Sequence, residues 1–127
     1  MTEGICPSGW HIPSDGEWQT MEISLGMSES EAAGTGWRGT DEGYQMKSSS
    51  GWAGGNGSNS CGFTCLPGGY RYSGGFSSDG LDGYWWSASE DGSYSWHRIL
   101  YSHFGDGAVG RNGNFRFNGF SARCVRD

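Results

Sequence analysis

Three histidines, four cysteines and a handful of acids are the residues of this 127-residue chain whose types could do chemistry. Nucleophilic catalysis needs a Ser or Cys beside a His that a carboxylate orients. His11, His97 and His103 are available, but no Gly-x-Ser-x-Gly elbow stands between a strand and a helix. His11 follows Trp10 just ahead of a helix start and reads as structural. Calcium takes oxygens from carboxylates and carbonyls. Asp79-Gly80-Leu81-Asp82-Gly83 supplies two acids in one turn, with further oxygens at Asn56, Asn59 and Asp106, but no complete series such as an EF-hand loop is present. The expectation is therefore a non-catalytic chain with no cofactor, the alternative being calcium held at Asp79 and Asp82.

Recognition is the chemistry that the residues favour. The stretch from Tyr101 to Asn118 mixes rigid aromatics with Asn, Ser and Arg, the blend that antibody loops use. Aromatic rings stack on sugar or protein surfaces, while amides and a guanidinium fix orientation. Tyr101, His103, Phe104, Asn112, Asn114, Arg116 and Asn118 are the candidate binding residues. The competing reading makes Phe115 and Phe117 one face of a strand, with Arg116 and Asn118 merely turned to water. Trp85, Trp86 and Trp96 read as core.

The elements that must position these residues are constrained by composition. Four Leu, four Ile, two Val and six Phe make only 16 of 127 residues, below the roughly 20% at which disorder becomes the expectation. Seven Trp and six Tyr offset that deficit, since each buries about 150–250 Å². The core is expected to be aromatic. Twenty-five glycines without a three-residue period exclude collagen and favour tight turns.

Residues 1–60 carry eight acids against Arg38 and Lys47, and residues 61–127 carry six acids and six arginines. The net charge of -6 and the lack of a Lys/Arg cluster exclude nucleic acid as the expected partner. No apolar run is long enough to span a membrane, so no direct insertion is expected. No export signal is recognisable, and one would lie on a longer parent or have been removed.

An even number of cysteines in a loop-rich chain reads as two disulfides formed in an oxidising compartment. Of three possible pairings, Cys6–Cys124 with Cys61–Cys65 is favoured. Chain ends usually approach one another, and Cys61 and Cys65 share one short Gly-containing loop. Free thiols, or a zinc site built from Cys61, Cys65 and histidines, are the alternatives.

Ser14-Asp15-Gly16-Glu17 is a capping box behind Pro13, and Trp18, Met21 and Leu25 follow at helical spacing, which predicts a helix over about 15–25 closed by Gly26. Ser28 and Glu31 repeat the box and predict a shorter helix over about 29–34. Residues 34–60 read as a long irregular excursion pinned by Trp37, Tyr44 and Trp52. Strands are expected at 62–66, at 70–72, at 84–90 and 94–101 around an Asp91-Gly92 turn, and at 119–125. Along 94–101, Trp96, Arg98 and Leu100 share one face, with His97, Ile99 and Tyr101 on the other. Helices first and antiparallel strands after them make an α+β chain.

Read in order, CPSGWHIPSDGEW, GFTCLPGGYR, GYWWSASE and GFSARCVRD resemble the Fibrobacter succinogenes major paralogous domain over nearly the whole chain from Cys6 to Asp127. That family is similar to the C-type-lectin-like and formylglycine-generating-enzyme group. The likeness implies a C-type-lectin-like fold with one or two short N-terminal helices, a small twisted antiparallel sheet and long Gly-rich loops. It also implies a bacterial module that is secreted or held at the cell surface.

The chain lacks the upstream segment usual in that family, which suggests a trimmed or minimal domain, or one that another chain completes. The copper-binding cysteine pair of the formylglycine-generating enzymes lies late in the chain, whereas Cys61 and Cys65 come far earlier, so that active site does not carry over. The expectation is one domain over 1–127: a helical part at about 14–34, a loop at about 35–60 and a strand part at about 61–127. It is expected to bind a cell-surface glycan or protein. The alternatives are an assembly module contacting other copies or other domains of its parent, and an oxidase of the formylglycine-generating type.

Overall fold

The computed structural model describes residues 4–102 and 107–127. β1 (Trp10–His11) leads into α1 (Asp15–Ser24) and α2 (Glu29–Ala33), then β2 (Gly36–Arg38) and α3 (Glu42–Met46). There follow β3 (Tyr70–Tyr72), β4 (Gly75–Ser77), β5 (Asp82–Asp91), β6 (Tyr94–Tyr101), β7 (Val109–Asn114) and β8 (Val125–Arg126). The fold is α+β, with short helices and only antiparallel strand pairing within its sheets.

Both helix starts follow from their sequence. Ser14 Oγ accepts the Glu17 backbone N–H while the Glu17 carboxylate accepts that of Ser14, and Ser28 and Glu31 repeat the arrangement. Each reciprocal pair satisfies two backbone donors that a helix start otherwise leaves orphaned.

The principal sheet has the order β2-β7-β6-β5. β5 and β6 form a hairpin with Trp85 opposite Arg98 and Trp86 opposite His97, and Gly92 sits at φ +59° in its turn, where a side chain would be strained. β3 and β4 make a separate small hairpin, attached to the 119–121 segment through an Arg71–Gly119 bridge. β1 pairs with β8, and the Cys6–Cys124 disulfide joins the same two ends, with Cα atoms 5.8 Å apart.

Trp18, Met27, Ala32, Met46, Trp52, Cys65, Trp85, Leu100 and Val109 make the apolar core, a mixture of tryptophan and small or flexible side chains. Trp85 is buried as expected, whereas Trp86 and Trp96 are half-buried.

Several expectations need correction. The 34–60 excursion contains a strand and a helix, because Trp37 and Arg38 pair with β7 and the Glu42 carboxylate accepts the backbone N–H groups of Thr40 and Asp41 at the entry to α3. No strand forms over 62–66; Thr64 adopts φ +56° and Asn59 closes the turn through its side chain, leaving one bridge at Cys65. The last strand is Val125–Arg126 alone, with single bridges at Gly119 and Ser121 before it.

Cys61 and Cys65 are free thiols, not a bridge. The Cys61 Sγ lies on the surface and donates to the Gln45 carbonyl at 3.2 Å, while Cys65 is buried in the core. Burial, with Cys61 close by, pushes the Cys65 thiol well above its usual range.

Candidate functional site

Two unusual assemblies flank the principal sheet, one hidden and one exposed. The hidden one begins with α1. Its inward stripe is Asp15, Trp18 and Glu22, so two of the three side chains turned to the core are acids. They meet arginines from the sheet. Arg98 grips Glu22 through Nε and Nη2, both at 3.0 Å, and donates from Nη1 to Asp15 at 2.8 Å. Arg111 donates from Nη2 to Asp15 at 2.7 Å and from Nη1 to the Ala33 carbonyl at 2.9 Å. Arg38 reaches Glu22 at 2.7 Å.

The guanidinium of Arg111 lies 3.9 Å over the Trp96 ring and that of Arg98 lies 5.7 Å over Trp18. Burial raises the Asp15 carboxyl, but hydrogen bonds from Arg111 and Arg98 outweigh it and hold the group down at about 2. Burial pushes Glu22 up against the pull of Arg98 and Arg38. These residues order the interior. Their signal in the sequence was the predominance of Arg over Lys and the helical spacing of Asp15, Trp18 and Glu22.

The exposed assembly is aromatic. Tyr94 packs edge-on against Phe115 at 5.0 Å, Phe115 stacks on Phe117 at 5.0 Å, and Phe117 approaches Tyr72 at 6.0 Å. Phe117 is 69% exposed. Beside this strip lies a cleft of about 260 Å³ lined by Tyr70, Tyr72, Tyr84, Asn114, Asn118 and Phe120. Its rings are braced from behind: Tyr84 and Phe120 stack at 5.0 Å, Phe120 packs on Trp86 at 4.3 Å, and His97 lies 5.0 Å from Phe120. His97 is 1% exposed, and burial drives its imidazole down to about 4 despite the polar contact of the Asn112 backbone. It is a neutral packing residue.

The predicted binding residues separate. Asn114 and Asn118 come together in the cleft, where Asn118 Nδ2 donates to Asn114 Oδ1 at 2.8 Å. Arg116 turns to the β5–β6 hairpin, donating to Ser95 Oγ and to the Gly92 and Tyr94 carbonyls. Tyr101 ends β6 with its ring 4.5 Å from Trp37, and Asn112 is exposed on β7 opposite His97. His103 and Phe104 lie outside the described residues.

The 101–118 stretch is thus not one loop: Val109–Asn114 is a strand between β2 and β6, and of its described residues the strand's last one, Asn114, and Asn118 in the turn after it reach the cleft. Phe115 and Phe117 follow that strand and are exposed, so they form no buried strand face. Tyr70, Tyr72, Tyr84 and Phe120 were missed because they read as strand residues, and only the sheet arrangement shows that their rings line a surface.

Residues 1–126 match the family model of the Fibrobacter succinogenes major domain. The chain belongs to that family. No curated protein and no solved structure matches it. Within this Fibrobacter succinogenes major domain, Asp79 is exposed on the turn before β5 and Asp82 opens that strand; among the described residues no group of three or more His, Cys, Asp or Glu side chains converges to hold a metal. No helix among the described residues is long and apolar enough to cross a membrane. A larger hollow, about 370 Å³, runs beside α1 and is lined by Pro13, Trp18, Met21, Phe63 and Val125 among others.

Proposed function

We propose that this chain is a non-catalytic binding module displayed outside the cell, with a C-type-lectin-like arrangement, recognising a glycan or protein surface through its aromatic face. The observation that carries the reading is the continuous strip of Tyr94, Phe115, Phe117 and Tyr72, with the aromatic and amide cleft beside it. Exposed rings in a contiguous patch have no part in holding the interior together and mark contact surfaces. The terminal disulfide supports an oxidising location. The lectin-like arrangement is supported by the position of α1 and α2 ahead of the principal sheet and by chain ends that are paired and bridged.

The test is adhesion of the purified chain to immobilised bacterial cell-wall and host cell-surface preparations. Wild type is retained, and a Phe115→Ser, Phe117→Ser variant of unchanged thermal stability is not. Equal retention of the two, or retention of neither, overturns the reading. A second reading, an assembly module, is favoured by the apolar hollow beside α1. Sedimentation at high concentration discriminates, since a strict monomer removes self-assembly.

A further inference from the structure

We propose that the Tyr70, Tyr72, Tyr84, Asn114, Asn118 and Phe120 cleft is a subsite for a single ring of a neutral oligosaccharide, whose neighbouring units extend over Phe117. This rests on the binding-module reading and narrows it to one ligand class and one place.

Charge decides the first part. Among the described residues lining the cleft none is acidic or basic, although the chain as a whole carries a net charge of -6. Of the guanidinium groups next to it in sequence, Arg71 stands over the Phe76 ring at 5.7 Å on the other side of the β3–β4 hairpin, and Arg116 is committed to the β5–β6 turn. A sulfated or uronic chain would lack a counter-ion here. An uncharged polyol loses nothing by that.

Polar geometry decides the second. Asn114 spends its side-chain oxygen twice, on the Asn118 Nδ2 and on the Phe115 N–H, both at 2.8 Å. What this amide has left to offer is its pair of N–H donors. Asn118 keeps an opposite group: its Oδ1 is buried with no hydrogen-bond partner. Such an unpaired buried acceptor is destabilising, and a ligand hydroxyl would satisfy it. A donor and an acceptor on adjacent amides match the vicinal hydroxyls of a sugar, each of which donates and accepts.

Shape and rigidity decide the third. The volume of about 260 Å³ falls below the roughly 300–1,000 Å³ of clefts that take drug-sized ligands, so one ring enters and the rest stays outside. Tyr70 and Tyr84 meet edge-on at 5.1 Å, and Tyr84 and Phe120 stack at 5.0 Å over His97 and Trp86, so the walls do not have to be ordered on binding. The exit toward Tyr72 leads onto Phe117, which is 69% exposed. Successive rings of a linear chain would stack there.

The experiment is calorimetric titration with short neutral gluco-, xylo-, manno- and galacto-oligosaccharides, in parallel with oligogalacturonate and heparin fragments. At least one neutral series binds wild type, and Asn118→Ala weakens it by roughly tenfold, the loss expected for one buried hydrogen-bonding group. Tyr72→Ala, at an exposed position, weakens the same series and keeps the test open should Asn118→Ala fold poorly. Affinity for the charged fragments alone overturns the assignment, as does neutral-sugar binding that both variants leave unchanged. If no sugar binds but adhesion persists and is abolished by protease treatment of the target, the cleft assignment falls while the binding-module reading stands. Loss of adhesion as well removes both.

Discussion

The interface of α1 with the principal sheet and the face formed by β3, β5 and the 115–120 segment invert the usual distribution of side chains. Under α1, Arg98 and Glu22 are wholly buried and Asp15 nearly so. On the other face, Phe117 is 69% exposed. A chain poor in aliphatic residues has little with which to fill an interior, and long arginine stems paired to acids take up the volume. Their planar forks also impose directions that leucines would not. The aromatics left outside do not contribute equivalently to the fold. One region orders the scaffold, and the other is the surface through which we propose that it binds.

The sharpest way to break this comparison is to remove a buried charge. Arg98→Met leaves Glu22 without its bidentate partner and Asp15 without one of its two arginines, and costs about 3–5 kcal/mol, read as a lowered urea midpoint. Arg98→Lys fails as well, because a single ammonium cannot span both acids. A midpoint unchanged by either substitution would show that the acids are not held as the structure places them. Next in size is the terminal bridge. Reduction of Cys6–Cys124, or paired replacement by Ser, costs about 2–5 kcal/mol, seen as a fall in the thermal midpoint under reducing agent. The effect should come from this bridge alone, since Cys61 and Cys65 are unpaired.

The acid side of the stability profile separates the two regions by titration. His97 braces the aromatic cleft and has a folded pKa near 4 against 6.5 for the free group. Its neutral form is the one the fold accepts. The stability it contributes is complete above pH 6.5, declines as pH falls toward 4, and totals on the order of 3 kcal/mol. His97→Leu should flatten urea midpoints over that window.

Asp15 acts lower. With its carboxyl held down at about 2 against 3.8 for the free group, its contribution is present above 3.8 and is lost as pH falls through 2. His11 has the opposite sign: hydrogen bonds to Asp127 and Glu17 raise it, so its contribution is present below 6.5 and is lost as pH rises. Glu22, raised by burial, likewise loses its contribution as pH rises through its folded pKa.

What the sequence disclosed depended on how local the cause was. The capping boxes at Ser14 and Ser28 placed both N-terminal helices within a residue or two, because the partners that start each helix lie within it. The β5–β6 hairpin was legible from its aromatic runs and the Asp91-Gly92 turn. The β7 strand was not, since Val109-Gly110-Arg111-Asn112-Gly113-Asn114 has little strand propensity and is held by pairing with β2 and β6. Nothing local marks Arg111 as a buried residue, because its partner Asp15 lies 96 positions earlier in the chain. The candidate site suffered the same way: Asn114 and Asn118 were found in one stretch of sequence, but Tyr70, Tyr84 and Phe120 join them only through the fold.

The smallest expected change in stability carries the sharpest information about function. Phe117→Ala removes a ring that touches Phe115 and Tyr72 but is otherwise open to solvent, so its cost should stay within about 0.5 kcal/mol. The same change deletes the platform over which a bound chain would leave the cleft, and adhesion should fall while the urea midpoint stays in place. A large loss of stability would instead mean that the aromatic strip is part of the core, and the contrast between the two regions would disappear. A change in neither property would leave the strip without a role in binding, and the amide cleft would have to account for recognition alone. Only unchanged stability with weakened adhesion fits a molecule that keeps its charges inside for architecture and its aromatics outside for contact.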